Sequence, residues 1–470
     1  MIIDELRSLL GADRVMDDEA IIAKASTDYI GFRRYERADG KYWVNKAACV
    51  VKPRSTEEAS KALAFLNQRR IDTVPRTGGS SVTLSIEPES GGVILDGSEM
   101  NGIIEFNERD MMISARCGTP LEYIETSLNE RGYTTGHFPQ SLPLAHLGGL
   151  IATRSIGQLS TLYGGIEDLL VGLEAVLADG QVIRIKNNPR RSVGPDLRHL
   201  FIGSEGMLGF ITEGTVKIFR HTPETRWMNA WAIKGMNAGL ELIREVMVEG
   251  YRPAVVRLHD AGEVQRMFSG AIEEGSAVLL FLAEGPGPIT AATGAAVAEI
   301  AARYETKDLG SRPVESWLKT RNDVAYHMDE PVYYNMGLVA DTCEISAPWS
   351  AIGGIYDAVV ERAPREIPNL AAIGGHSSHS YVQGTNIYFT FGFLVKDGAE
   401  SARRDYMKVI EIIMEETLKR NGSIAHHHGS GKYRTRWMPQ EHGSSYPLLA
   451  KLKEALDPNR ILNKGVLLAD

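Results

Sequence analysis

The chain has 470 residues, more than one hydrophobic core usually serves, so two closely packed domains are expected. Hydrophobic residues at 43%, charged residues at 24% and a net charge of −9 exclude a disordered or fibrous chain and leave no dominant basic surface for nucleic acid. No apolar run approaches the roughly 20 residues of a membrane span, and Asp4, Glu5 and Arg7 interrupt the first apolar stretch, unlike a secretory signal. Three widely spaced cysteines, Cys49, Cys117 and Cys343, suit a reducing compartment, and a cytoplasmic location is the expectation.

Residues 1–45 read as a helical lead-in followed by an irregular segment. Ala47 to Pro53 is a short apolar run closed by proline, and Ser55 with Glu58 three residues on forms a capping box. Ala59, Ala62, Leu63 and Leu66 follow at helical spacing, and Ile71 to Val74 reads as a second strand. Short strand patterns at Val93–Leu95, Met111–Ala115, Val171–Leu177, Val182–Ile185 and Ile211–Phe219 then alternate with helical stretches and turns, giving an α+β domain over 46–222. From 223 to 420 longer helical patterns, Gly239–Glu249 and Ala291–Arg303, alternate with strands at Ala277–Ala283 and Ile387–Phe393. Residues 421–470 carry a last helical segment, Leu448–Leu456, closed by Asp457-Pro458-Asn459.

Pro75-Arg76-Thr77-Gly78-Gly79-Ser80-Ser81 directly follows a strand, and paired glycines beside hydroxyl residues suit a backbone that presents N–H groups to a pyrophosphate. By itself the segment is equally a plain turn. Neither the Rossmann nor the Walker spacing occurs. Four more segments follow in order: Gly136-His-Phe-Pro-Gln-Ser141, Gly148-Gly-Leu-Ile-Ala-Thr-Arg-Ser155, Tyr163-Gly-Gly-Ile-Glu-Asp168 and Gly203-Ser-Glu-Gly-Met-Leu-Gly209.

This ordered series resembles the PCMH-type FAD-binding domain of the vanillyl-alcohol oxidase superfamily, the FAD-linked oxidases. The resemblance implies a two-subdomain FAD domain, an α+β substrate (cap) domain with an antiparallel sheet, and a C-terminal segment returning to the flavin. It also implies roles by position. Pro75, Arg76, Thr77, Gly78, Gly79, Ser80 and Ser81 would hold the pyrophosphate. Pro139, Gln140 and Ser141 would line the isoalloxazine, with Gly148, Gly149, Ala152, Thr153, Arg154 and Ser155 continuing that wall. Glu205, Gly206, Gly209 and Ile211 would lie along the adenosine half. Relatives with covalent flavin carry a histidine or cysteine beside the first loop; Pro75–Thr83 has neither, so noncovalent FAD is expected, with His137 the one exception to consider.

Gly422-Ser-Ile-Ala-His426-His427-His428-Gly-Ser-Gly-Lys432-Tyr-Arg434 places three histidines in a glycine-flanked turn. Alternate side chains of an extended segment share a face, so His426 and His428 would point one way and His427 the other. This motif, with Ser346-Ala-Pro-Trp349, resembles the alkyldihydroxyacetonephosphate synthases, whose acid/base tyrosine aligns best with Tyr388. Asn335 stands where those synthases carry a substrate-binding arginine, and an amide cannot supply that cationic fork. The resemblance to hydroxy-acid dehydrogenases instead suggests a divalent metal on His376, Tyr388 and His427, with His379 a neighbour.

The chemistry implied is hydride transfer from a substrate hydroxyl to flavin, with Tyr388 and His426, His427 or His428 as base and Lys432 and Arg434 available to a substrate anion. An FAD-dependent dehydrogenase, or else an oxidase, acting on a free or phosphorylated hydroxy acid, sugar acid or polyol is the first expectation, with electron-transfer flavoprotein or quinone as the dehydrogenase's acceptor. A flavin-dependent transferase without net redox change is the second, and a flavin-binding electron carrier the third. Homodimers are common among resembling enzymes, and no residue here bears on that.

Overall fold

The computed structural model describes residues 2–40, 46–267, 272–328 and 330–469; the end of the lead-in, 41–45, lies outside them. Three large sheets and a two-stranded one, Tyr133–Thr134 with Phe219–Arg220, carry the described residues. The first has the order Val15–Met16, Cys49–Val51, Val93–Asp96, Thr73–Arg76, parallel except at its Val15 edge. Its two inner strands, Cys49–Val51 and Val93–Asp96, are short runs buried on both faces, as parallel strands require. The lead-in is therefore not a separate unit: Val15 and Met16 pair with Val51 and Val50. The second sheet is antiparallel, Ile103–Asn107, Met112–Arg116, Phe210–Lys217, Leu170–Val176, Val182–Ile185.

Between the first strands runs the helix Thr56–Arg69, whose Ser55 Oγ accepts the Glu58 N–H at 3.3 Å. Only half of the expected capping box forms. The Glu58 carboxylate turns to Arg14 and to the Arg54 N–H instead, because an ion pair outweighs a neutral return bond.

The third sheet has seven antiparallel strands in the order Thr306–Gly310, Trp227–Lys234, Ser276–Ala283, Val255–His259, Leu370–Ser377, Gly384–Leu394, Leu338–Pro348. The helices Met236–Val248, Gly287–Ala301, Trp349–Glu366 and Ala399–Lys419 supply apolar residues to one core with Leu258, Cys343, Ile345, Ile387 and Phe389. That core fixes which side chains are left for the opposite face. After Lys419 the chain crosses back: Thr73 donates its N–H to Ile461 and accepts from Asn463, so the C-terminal segment joins the first sheet beside the glycine loop.

Candidate active site

The five glycine segments converge. Gly149 N–H donates to Thr77 Oγ1 at 3.1 Å, and a Cβ on Gly78 would sit 2.2 Å from the Leu144 carbonyl oxygen. A Cβ on Gly206 would meet the Pro75 ring at 2.9 Å, and Gly203 and Glu205 donate to Ile151 and Ala152 carbonyls. Among the described residues, no acceptor takes the N–H groups of Gly78, Gly79, Ser80 or Ser81, although the loop is half-buried. Buried Arg76 Nε and His146 Nδ1 also have no partner. Unpaired donors in a partly buried loop need an acceptor, so the donor set fits the anionic pyrophosphate of FAD.

Beside this cradle the third sheet lays four functional side chains in one row. Glu344 pairs with Tyr388, Tyr388 with His376, and His376 with His259, each on the next strand. Directly paired residues share a face, so the row stands opposite the helix-covered core. The Tyr388 ring stacks on His376 at 4.9 Å and on His427 at 5.6 Å. Glu263, at 2.7 Å from His259 Nδ1 and 3.0 Å from His376 Nδ1, also accepts from Thr390 Oγ1 at 2.8 Å. Burial alone would raise Glu263, but the two imidazoles and Thr390 hold it as a carboxylate, and burial pushes His376 down to about 4. Both imidazoles are then neutral Nδ1–H donors.

Glu344 shapes the triple histidine. Its Oε1 accepts the N–H groups of His426, His427 and His428 at 3.2, 3.1 and 2.8 Å. Three successive amides on one oxygen form a tight turn that holds the three rings close together and edge-to-face. Its Oε2 faces Arg434 Nη2 at 2.7 Å and His428 Nδ1 at 3.1 Å. Burial would raise this carboxyl too; Arg434, then His428, hold it well below the usual range. His428 Nε2 in turn lies 3.1 Å from Tyr388 Oη. On the other side Glu205, pushed up to about 7 by burial, accepts the Ser430 and Gly431 N–H groups at 2.7 and 2.9 Å. The loop is held between one carboxylate from each large domain.

The structure corrects several expected roles. Arg434 has no exposed surface and is saturated by Glu344, so it cannot meet substrate. Lys432 is paired with Glu89 at 2.7 Å. Asn335 ends an exposed helix beyond Leu338, itself six strand residues or about 20 Å from Glu344, and is off the site. His376 and His427 stack against Tyr388 without converging, and Glu263 occupies His376 Nδ1, so the aligned metal set does not form. The Glu205 carboxylate clamps the C-terminal loop, and the Ile211 side chain belongs to the core of the second sheet, leaving only main-chain atoms for a cofactor. Pro139 is buried, Gln140 exposed and Ser141 half-buried on one turn; Thr153 caps the helix Leu147–Ala152. Exposed Arg154 pairs with Glu167, Ser155 Oγ lies 3.3 Å from His137 Nε2, and a Cβ on Gly148 or Gly209 would crowd Cys117 or Phe201.

Two residues with no sequence motif stand out. Arg257, two residues before His259 and on the same face, and Arg321 both lie over the Trp317 ring, at 5.0 and 5.9 Å. Burial lowers each to about 10, so both stay cationic. Among the described residues neither has a carboxylate within ion-pair distance. A buried and a half-buried cation around one indole, with no carboxylate paired to either among the described residues, suit an anion.

Residues 47–186 match the family described as FAD binding domain, and residues 222–467 match FAD linked oxidases, C-terminal domain. The chain is 46% identical to an uncharacterized FAD-linked oxidoreductase, YgcU, of Escherichia coli K12, over 99% of this chain and 98% of that protein. It is 26% identical to a mitochondrial D-lactate dehydrogenase [cytochrome] of Arabidopsis thaliana, covering 90% of this chain and 74% of the relative. A solved alkyldihydroxyacetonephosphate synthase superposes with a TM-score of 0.81 at 22% identity, over 98% of this chain and 84% of the other, a likeness of fold. With an α+β, PCMH-type architecture and an FAD cofactor, the chain belongs to the FAD-linked oxidoreductase family.

Proposed function

We propose that the chain oxidises the hydroxyl of a small anionic substrate, a hydroxy acid or sugar acid, as a dehydrogenase with noncovalently held FAD. The observation that carries this reading is the chain Tyr388–His428–Glu344 beside the cradle. Bound FAD supplies the acceptor for the hydride leaving the carbinol carbon.

Ionised Glu344 can only accept, so His428 keeps its proton on Nδ1 and offers the Nε2 lone pair to the Tyr388 hydroxyl. Burial raises Tyr388, and the neighbouring imidazoles are neutral, since burial lowers His426 to about 4 and His427 well below its usual value. A standing tyrosinate is therefore not the base. Tyr388 acts as a relay: it takes the substrate hydroxyl proton as its own passes to His428, and Glu344 stabilises the imidazolium formed. Arg257 and Arg321 would hold the substrate carboxylate, a role that fits the D-lactate dehydrogenase relative. Electron-transfer flavoprotein or a quinone would reoxidise the enzyme.

The triple histidine and the Ser346-Ala-Pro-Trp segment favour a second reading, a flavin-dependent transferase without net redox change. Anaerobic mixing with hydroxy acids, sugar acids and their phosphates tests both. Persistent bleaching is expected, and Tyr388→Phe is expected to slow it by about 10²–10⁴-fold. A transient adduct without net reduction supports the transferase, and an unaltered Tyr388→Phe rate removes the relay.

A further inference from the structure

The aligned metal set does not form, yet three other imidazoles meet beside it. One ring nitrogen from each of His379, His426 and His427 lies within 4.8 Å of the others. His426 Nδ1 and His427 Nδ1 are 2.9 Å apart, and the His379 ring lies 5.2 and 5.3 Å from theirs. The residues come from two distant segments. His379 follows the strand Leu370–Ser377, where Asn386 Oδ1 fixes its backbone by accepting its N–H at 2.9 Å, and the other two sit on the Glu344 turn.

Two of the three histidines have their outer nitrogen engaged. Ser160 Oγ, from the FAD-binding half, lies 2.8 Å from His379 Nδ1, and Tyr381 Oη lies 2.8 Å from His426 Nε2. A partner on the outer nitrogen is what fixes the tautomer of a metal-binding histidine and turns its lone pair inward. With Nε2–H of His426 on Tyr381, its Nδ1 is a lone pair aimed at His427. Three neutral imidazoles that each turn a single nitrogen inward can form only one hydrogen bond among themselves, the one between His426 and His427.

We propose that His379, His426 and His427 form a three-histidine site for a divalent transition-metal ion of the zinc class. Three nitrogen ligands with a fourth position left for an oxygen donor is the pattern of an open zinc site. The other cluster, His259, Glu263 and His376, is accounted for by its own hydrogen bonds, and the Arg257 guanidinium 3.4 Å from His259 Nε2 opposes a cation there. The substrate's hydroxyl or carboxylate is the donor for the open position. That role rests on the proposed function; metal binding itself does not.

The test uses FAD-loaded protein, stripped with a chelator and titrated with Zn²⁺, with bound metal counted by elemental analysis and affinity by calorimetry. One zinc per chain is expected. His379→Ala is expected to weaken binding by at least about tenfold and Ser160→Ala by about tenfold, with flavin content unchanged. Cu²⁺ in the same site is expected to give an electron paramagnetic resonance spectrum with three nitrogen couplings, a readout needing no variant. The proposal is overturned if wild-type protein binds no zinc, if Ser160→Ala and His379→Ala bind it as wild type does, or if His376→Ala alone abolishes binding. Reduced substrate oxidation with normal zinc binding would count against the reaction and leave the metal site standing.

Discussion

Glu344→Gln probes the charge that organises the active-site turn. The amide oxygen can still accept the three histidine N–H groups, but its NH₂ must face Arg434 Nη2 at 2.7 Å and His428 Nδ1 at 3.1 Å. Donor then opposes donor, and Arg434, without exposed surface, keeps an uncompensated charge. Breaking a buried ion pair on one side costs about 3–5 kcal/mol, and that loss is expected in urea unfolding of the FAD-loaded protein. His428 escapes the clash by moving its proton to Nε2, which removes the acceptor for the Tyr388 hydroxyl. Flavin reduction is therefore expected to slow by about 10²–10⁴-fold, the usual worth of a positioned proton acceptor. Nitrogen-15 NMR of His428 reads the tautomer directly. A variant within about 1 kcal/mol of wild type, with unchanged tautomer and bleaching rate, would refute the reasoning.

Gly78→Ala places a Cβ 2.2 Å from the Leu144 carbonyl and is expected to lower the flavin-to-protein ratio severalfold; acid precipitation of wild type should leave its FAD in the supernatant. Arg321→Met is expected to raise KM for a carboxylate substrate by about 10–100-fold, from the 1.5–3 kcal/mol of a charged hydrogen bond, and to leave uncharged analogues unaffected in steady-state assays. Glu205 has a folded value of about 7 against 4.5 unfolded, so the native state holds its proton more tightly than the unfolded chain does. Its contribution is fully present below about pH 4.5 and lost as pH rises through about 7, a swing on the order of 3 kcal/mol. Glu205→Gln should flatten that part of the stability profile; an unchanged slope would show that another group carries it.

The cofactor half was legible because its loops are local and ordered: glycines and hydroxyls in short segments name their own backbone. The strands at Val93 and Val182 and the helix after Ser55 were equally plain, since apolar period and cap lie within a few residues. The proposed proton relay was only half visible. Tyr388 and the histidines stood out, but Glu344, two residues before the quoted Ser346-Ala-Pro-Trp, is significant only through a register that sets it against Tyr388. Arg257, Glu263 and Arg321 had no motif at all, because each acquires its role from a strand or helix far away in sequence. Arg434 was misread for the same reason. A cation near histidines looks available until the folded chain supplies its carboxylate.

The row Glu344–Tyr388–His376–His259 has a consequence for how such a chain can change. Each member is flanked along its strand by residues of the opposite face, and Cys343, Ile345, Ile387, Phe389 and Leu258 there form the helix-packed core. Exchanging a donor within the row alters acidity, tautomer or ligand set while the packing that secures the strands is untouched. New chemistry on this scaffold is thus to be sought by single replacements across neighbouring strands, and a shift of one strand by one residue would be ruinous, turning reactive groups into the core and apolar ones toward the flavin.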